Sequence, residues 1–445
     1  MFIYIGLFIL VIIISYFGLR KEKLLYIVAV LMITFLTSII AGCRDLGVGT
    51  DTNIYTESYF NVAKHSNLYK ILFGSLDISE SSRGYLLINY IGVFFADNYW
   101  IALFLTSFLI WSTILWGIWK LNKSYAHYHC QIWIFITLFL LYFHNRSYNY
   151  MRQFCALSFV FCSYSYYLDR KWLKSILLFI VAFSFHTSAI VTILIPIFYY
   201  ITYYLTGNRR FYKNIIVAFK SQASTIVPIL IPLHIFTFDS RRFYKNIIVA
   251  FKSQASTIVP ILIPLHNFTS GSRRLHKNVI VLLVTITFVY VVFLMNFESI
   301  IMYLGSSQGL ILEVYAERYS SDNEAFWSAG LGKQTYILFL AELFVIYYGY
   351  IKKIINQQMF IYILLLHFTF LGTYALTLIS VYLNRLSYYF YIIDLWYISL
   401  ILSAKKANRL LLYAYLLTHA IIWYYYFIYG NANETYPYTS RILNI

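Results

Sequence analysis

Hydrophobic residues fall along this chain in long uninterrupted runs rather than in an alternating or every-third-position pattern. The runs cover about 2–19, 24–42, 99–119, 131–143, 153–168, 172–185, 188–206, 278–297, 335–351, 358–380, 386–402 and 410–429. Most reach the ~17–25 residues that carry a helix across a bilayer. The pattern predicts an all-α polytopic integral membrane protein of about 12 transmembrane helices, forming one transmembrane domain over residues 1–445. The runs 131–143 and 172–185 are the shortest. Two polar stretches, 43–98 and 298–334, separate runs by more than a turn. Both carry aromatic and apolar residues, so ordered structure is expected in them, including a short surface helix over 84–95.

Composition agrees with the runs. Hydrophobic residues make up 61% of the 445 and charged residues only 11%, too few to cover a soluble protein of this size. The formal net charge of +17 would fit a nucleic-acid binder if it were spread over a surface. Instead most Lys and Arg cluster between runs, at 20–23, 120–123, 170–174, 209–220, 241–252, 273–277, 352–353 and 405–409. That is the asymmetry of cytoplasmic loops, and no nucleic-acid partner is expected. With every basic cluster in the cytoplasm, both termini and the segments 43–98, 144–152 and 298–334 lie outside. The segments 43–98 and 298–334 then become a first and a second periplasmic loop.

Residues 209–240 and 241–272 are tandem copies that match at 29 of 32 positions. Such near-identity reads as a recent duplication, not a solenoid. Each copy holds a central lysine (Lys220 or Lys252) and two prolines, a poor composition for a span. An interfacial or re-entrant course on the cytoplasmic side is expected. The alternative has the two copies crossing in opposite directions.

Candidate chemistry collects at the outer ends of the runs. Arg44 and Asp51 open the first outer loop around Gly47 and Gly49. Arg146, Arg152 and Gln153 flank a tyrosine-rich turn, and His186 returns to the same level after the hairpin 153–185. Glu317 and Arg318 stand in the second outer loop, with Glu313 one helical turn before Glu317. Arg385 sits between two late runs. Arginines can clamp a phosphate, and Asp51, His186 or Glu317 can take a proton from a hydroxyl. Each has a plainer use as a cap, a snorkelling cation or a solvated face. Glu342 and Asp394, inside runs, are expected to neutralise an arginine, with proton transport as the competing use. No Walker motif, GxGxxG, HExxH or metal-ligand spacing occurs, and the cysteines Cys43, Cys130, Cys155 and Cys162 show none either. No cofactor and no metal are expected.

Arg44 with Val48-Gly49-Thr50-Asp51 and Tyr55, then Met151-Arg152-Gln153, Phe185-His186-x-Ser188-Ala189, Arg385 with its tyrosine pair and Tyr436-Pro437-Tyr438 together resemble the EpsG-like family. That family includes O-antigen polymerases of the Wzy class and exopolysaccharide polymerases. The duplicated 209–272 segment departs from its pattern. The resemblance implies a nucleotide- and metal-independent glycosyltransferase of a bacterial inner membrane with a periplasmic active face. It would join repeat units carried on undecaprenyl pyrophosphate. Arg152, Arg44, Arg385, Arg146, Arg318 and Gln153 would bind the pyrophosphate, and Asp51, His186 or Glu317 would be the base. A chain-length regulator and a flippase are the partners implied, besides membrane lipid. A lipid-linked oligosaccharide flippase or exporter, an O-antigen ligase, or a structural subunit of an assembly complex are the competing readings.

Overall fold

A computed structural model describes residues 1–19, 23–74, 82–125, 130–207, 333–375, 377 and 381–444. Among these there is helix and turn but no strand. The helices are α1 (Phe2–Gly18), α2 (Lys23–Gly42), α3 (Thr50–Lys64), α4 (Leu68–Phe73), α5 (Arg83–Phe95), α6 (Tyr99–Ser124), α7 (Ile132–Phe139), α8 (Asn145–Asn149), α9 (Met151–Leu168), α10 (Trp172–Phe185) and α11 (Leu194–Gly207). They continue as α12 (Lys333–Ile351), α13 (Gln357–Ala375), α14 (Ser387–Ser403) and α15 (Arg409–Trp423). Every expected run is helical over its described residues except 278–297, which lies outside them, as do 376, 378–380, the duplication 209–272 and the segment 298–332.

Among the described residues, five helical stretches are long and apolar enough to cross a membrane: Lys23–Gly42, Tyr99–Ser124, Gln357–Ala375, Asn384–Ser403 and Arg409–Tyr429. Shorter apolar helices include Phe2–Gly18, Trp172–Phe185, Thr187–Tyr203 and Ile337–Ile351. The chain divides into two compact units, Met1–Phe198 with Ser321–Ile445, and Tyr199–Ser320. Of the second, only 199–207 are described.

The first unit is built around α14, in which every residue from Ser387 to Ser403 is buried. A helix apolar on all sides has no face to offer water, so it is stable only when surrounded. Its neighbours are α7, α9, α12, α13 and α15. The outer helices do the opposite. Leu24, Leu31 and Phe35 on α2, Leu173 and Leu177 on α10, and Leu410, Leu417 and Ile421 on α15 all stand exposed. Apolar rows of this extent on helices whose backbone groups are satisfied internally suit a lipid environment.

The segment 144–152, expected to lie outside between two runs, is almost wholly helical. α7 passes through a π-turn, Leu140–His144, into α8, and the chain reverses at Tyr150 (φ −93°, ψ 44°) before α9 begins. Phe143 meets Phe154 and Phe135 stacks on Phe161, so α7 and α9 run antiparallel from this reversal. The helical course has a physical reason. His144, Asn145 and Asn149 are buried, and a helical turn satisfies their backbone groups where a loop would not.

The stretch 43–98 is ordered through α3, α4 and α5, with 75–81 outside the described residues. α5 buries Tyr85, Leu86 and Ile88 and exposes Phe94 and Phe95, packing on α3, α6 and α10. The C-terminal tail lies over the start of this stretch. Glu434 O accepts from Gly49 N (2.9 Å), Thr439 O from Asp45 N (3.1 Å), and the Tyr438 hydroxyl donates to Ile40 O (2.8 Å). At the opposite end of α6 and α9, Lys120 and Ser124 both contact Asp169, which brings the basic clusters 120–123 and 170–174 together. With ~1.5 Å rise per residue, α9 holds Arg152 and that basic turn roughly 25 Å apart.

Candidate functional site

The first turn of α3, the reversal at Tyr150 and the start of α9 are joined by a few specific bonds. Gly49 has φ +101°, and a Cβ there would stand 2.6 Å from Asn149 Oδ1, so only glycine lets the two segments touch. Thr52 Oγ1 donates to Val48 O or Tyr148 O (3.0 and 3.2 Å). This seam places Asp51, in the first turn of α3, beside Tyr150.

One open cleft follows from that seam. It is lined by Asp51, Tyr55, Asn149, Tyr150, Met151, Arg152, Gln153, His186 and Arg385. Five of the residues singled out from sequence therefore meet: Asp51, Arg152, Gln153, His186 and Arg385. They come from four parts of the fold, namely α3, the start of α9, the end of α10 and the turn before α14, and all but Asp51 stand where an apolar run begins or ends.

Each is held in a definite way. Arg152, only 8% exposed, donates to Tyr59 Oη (2.9 Å) and Ser82 Oγ (3.3 Å), with its guanidinium 4.3 Å from the Tyr55 ring centroid. Arg385 lies over Tyr150 at 4.2 Å. Gln153 Nε2 donates to the backbone carbonyl of Arg385 (2.6 Å), so its amide positions the Arg385 turn. A planar guanidinium stacked on a ring keeps its N–H edge for other acceptors. Burial pushes the Tyr150 phenol up from its ordinary value, with Arg385 opposing, so it stays protonated. With two arginines and one carboxylate, the cleft favours an anion.

His186 ends α10 and opens the turn Thr187–Ile193. Its Nδ1 accepts from the Ser188 backbone N–H (3.2 Å), and the Ser188 hydroxyl bridges Nδ1 (2.6 Å) and Tyr389 Oη (3.1 Å). A backbone N–H can only donate, so Nδ1 presents its lone pair and the neutral ring carries its proton on Nε2. Nε2 is then the donor nitrogen of the ring and Nδ1 the acceptor.

Two arginines expected beside these stand elsewhere. Arg44 is 2% exposed and does not line the cleft. It donates to Ala41 O (2.8 Å) and Tyr148 O (3.4 Å) and lies 4.4 Å from the Tyr148 ring centroid, locking the seam from behind. Arg146 is packed on Tyr142, Tyr426 and Phe427 at 4.1–5.0 Å and donates to Tyr142 O. Both have protein acceptors and aromatic faces where a phosphate contact was expected. Glu317 and Arg318 lie outside the described residues.

Asn149, Tyr150 and Tyr55 line the cleft without having been singled out for chemistry. The clustering of Tyr148, Asn149 and Tyr150 between two arginines was their only local signal. Among the described residues, Glu342 and Asp394 meet no arginine, the partner expected for them. They meet His367, whose Nδ1 lies 2.5 Å from Asp394 and 3.6 Å from Glu342.

Comparison with known families returns the EpsG family, matched over residues 26–243. The match spans every cleft residue except Arg385, and ends three residues into the second copy of the duplication. Neither the curated proteins nor the solved structures return a match.

Proposed function

Starting from the place of residues 26–243 in the EpsG family, whose members have a polysaccharide polymerase-like role, we propose that this protein polymerises lipid-linked glycan repeat units. The donor is a glycan chain on undecaprenyl pyrophosphate, and the acceptor is a single unit on the same lipid. The reaction takes place on the periplasmic face of a bacterial inner membrane. That sidedness rests on the basic clusters, which belong in the cytoplasm by the positive-inside tendency. The observation that carries the proposal is the convergence of Arg152, Arg385, Asp51, His186 and Gln153 on one cleft at the far end of α9 from the basic turn.

The chemistry follows from those groups. The acceptor hydroxyl attacks the anomeric carbon of the donor sugar while the bond from that carbon to the pyrophosphate oxygen breaks. Arg152 and Arg385 neutralise the charge that develops on the departing lipid pyrophosphate, the preorganised electrostatic role that dominates such transfers. Asp51 takes the hydroxyl proton. His186 adds an Nε2–H donor to the leaving group or to a sugar oxygen, and Gln153 holds the Arg385 turn. Arg44 supports the cleft from behind. Because the pyrophosphate is already an activated leaving group, the transfer draws on no nucleotide.

Complementation of a polymerase-deficient strain tests this. Restoration of a ladder of long surface glycans supports the proposal. Transfer of single units only, without lengthening, points to a ligase. Failure of lipid-linked units to reach the outer face in a deletion strain points to a flippase.

A further inference from the structure

Away from the cleft, α12–α15 enclose a second constellation, outside the segment matched to the family. Glu342, His367 and Asp394 stand near the middle of α12, α13 and α14, each 0% exposed. His419, on α15, is 3% exposed beside them. One ligand atom from each of the first three lies within 4.8 Å of the others.

The orientation of both imidazoles is fixed from outside the cluster. His367 Nε2 is 3.1 Å from Phe339 O, and His419 Nδ1 is 3.2 Å from Tyr415 O. A carbonyl only accepts, so both outward nitrogens carry a proton, and each ring in its neutral form turns a lone pair inward. The inward nitrogens face carboxylates: His367 Nδ1 faces Asp394 and Glu342, and His419 Nε2 stands 3.9 Å from Glu342 Oε1. A ring nitrogen pinned to a backbone carbonyl, with the other aimed inward, is the usual setting of a metal-binding histidine.

The carboxylates are incompletely satisfied. Glu342 Oε1 accepts from Tyr391 and from Tyr415 (3.3 Å), but Glu342 Oε2 and Asp394 Oδ1 have no hydrogen-bond partner among the described residues. Two carboxylates in such a place must be neutralised. Two protons would balance the charge. A proton shared between His367 Nδ1 and Asp394, however, leaves Glu342 Oε2 and Asp394 Oδ1 without a hydrogen-bond partner among the described residues. One divalent cation balances both carboxylates and serves the lone pair as well.

We propose that Glu342, His367 and Asp394 bind one divalent transition-metal ion of the zinc type, with His419 beside it. The mixed nitrogen and oxygen donors suit such an ion better than magnesium or calcium. The ion clasps α12, α13 and α14 at mid-height and so holds the helix whose N-terminal end follows Arg385. It takes no part in the cleft chemistry.

The test uses the full chain, purified in detergent on a tag without histidine, stripped with a chelator and dialysed against Zn²⁺. Elemental analysis should return one equivalent of zinc per chain, with a rise in melting temperature that the chelator reverses. Asp394→Asn and Glu342→Gln should each lose the zinc while still eluting as monodisperse protein, and Glu57→Gln, on the exposed face of α3, should keep it. Wild-type protein that takes up no zinc and shows no shift overturns the proposal, whatever the variants do. So does zinc retained by Asp394→Asn and Glu342→Gln together.

Discussion

Replacing Arg152 by alanine removes a cation that, in the proposed reaction, stands against the departing pyrophosphate. A unit charge about 4 Å from a phosphate oxygen, at an effective dielectric near 20, contributes ~4 kcal/mol. Water entering the open cleft would recover part of that. The expected loss is then ~10²–10³-fold in transfer rate, the range found when one donor to a developing anion is removed. Arg152→Lys isolates the charge from the fork. It keeps the cation but loses the flat stack on Tyr55 and the paired donors to Tyr59 and Ser82, features that set the guanidinium's direction. An intermediate loss of roughly 10-fold is expected for it. Ladder length in a complemented deletion strain, normalised to immunoblotted protein, gives the order wild type, lysine, alanine. A full ladder from Arg152→Ala at equal protein would refute the clamp. Equal loss from both substitutions would show that the fork, not the charge, carries the effect.

Other predictions follow from the same cleft. Arg385→Ala should shorten the ladder ~10²-fold, and Gln153→Ala by less, because the amide acts through the Arg385 turn. Asp51→Asn should abolish lengthening while leaving the melting temperature within a few degrees, since Asp51 is half-buried at a helix start. His186→Gln, which restores an N–H near the position of Nε2, should retain more activity than His186→Ala; equal inactivity would return the ring to the role of base. Gly49→Ala should cost roughly 1–3 kcal/mol through its positive φ and the Asn149 contact, read as a lower melting temperature.

Hydropathy carried most of the fold because most of the helices outside 43–98 are nearly continuous apolar runs. Even α14 fits this, since a helix buried on every side leaves no amphipathic trace. The cleft was legible for a related reason: Arg152, His186 and Arg385 are polar groups at the ends of runs, where a membrane protein rarely places them without use. Sequence could not separate Arg152 from Arg44. Both follow or precede a span by one or two residues, and only packing shows that Arg44 spends its donors on Ala41 and Tyr148. It also could not pair Glu342 and Asp394. Their partner, His367, lies in a third run with no periodic or spacing signal, and apolar helices of similar length leave the register between them open. The helical course of 144–149 was hidden because polar residues there satisfy one another internally, through contacts such as Tyr148 to His144 and Asn145 to Trp423.

The central claim is that this chain itself lengthens a lipid-pyrophosphate-linked glycan. Purified protein in liposomes, given only the lipid-linked repeat unit, tests it most directly. Products of two, three and more units should appear without nucleotide, with one lipid pyrophosphate released per bond formed, and Arg152→Ala in the same vesicles should suppress both. Liposomes that carry well-folded protein and intact substrate, yet yield only single units, would contradict the account.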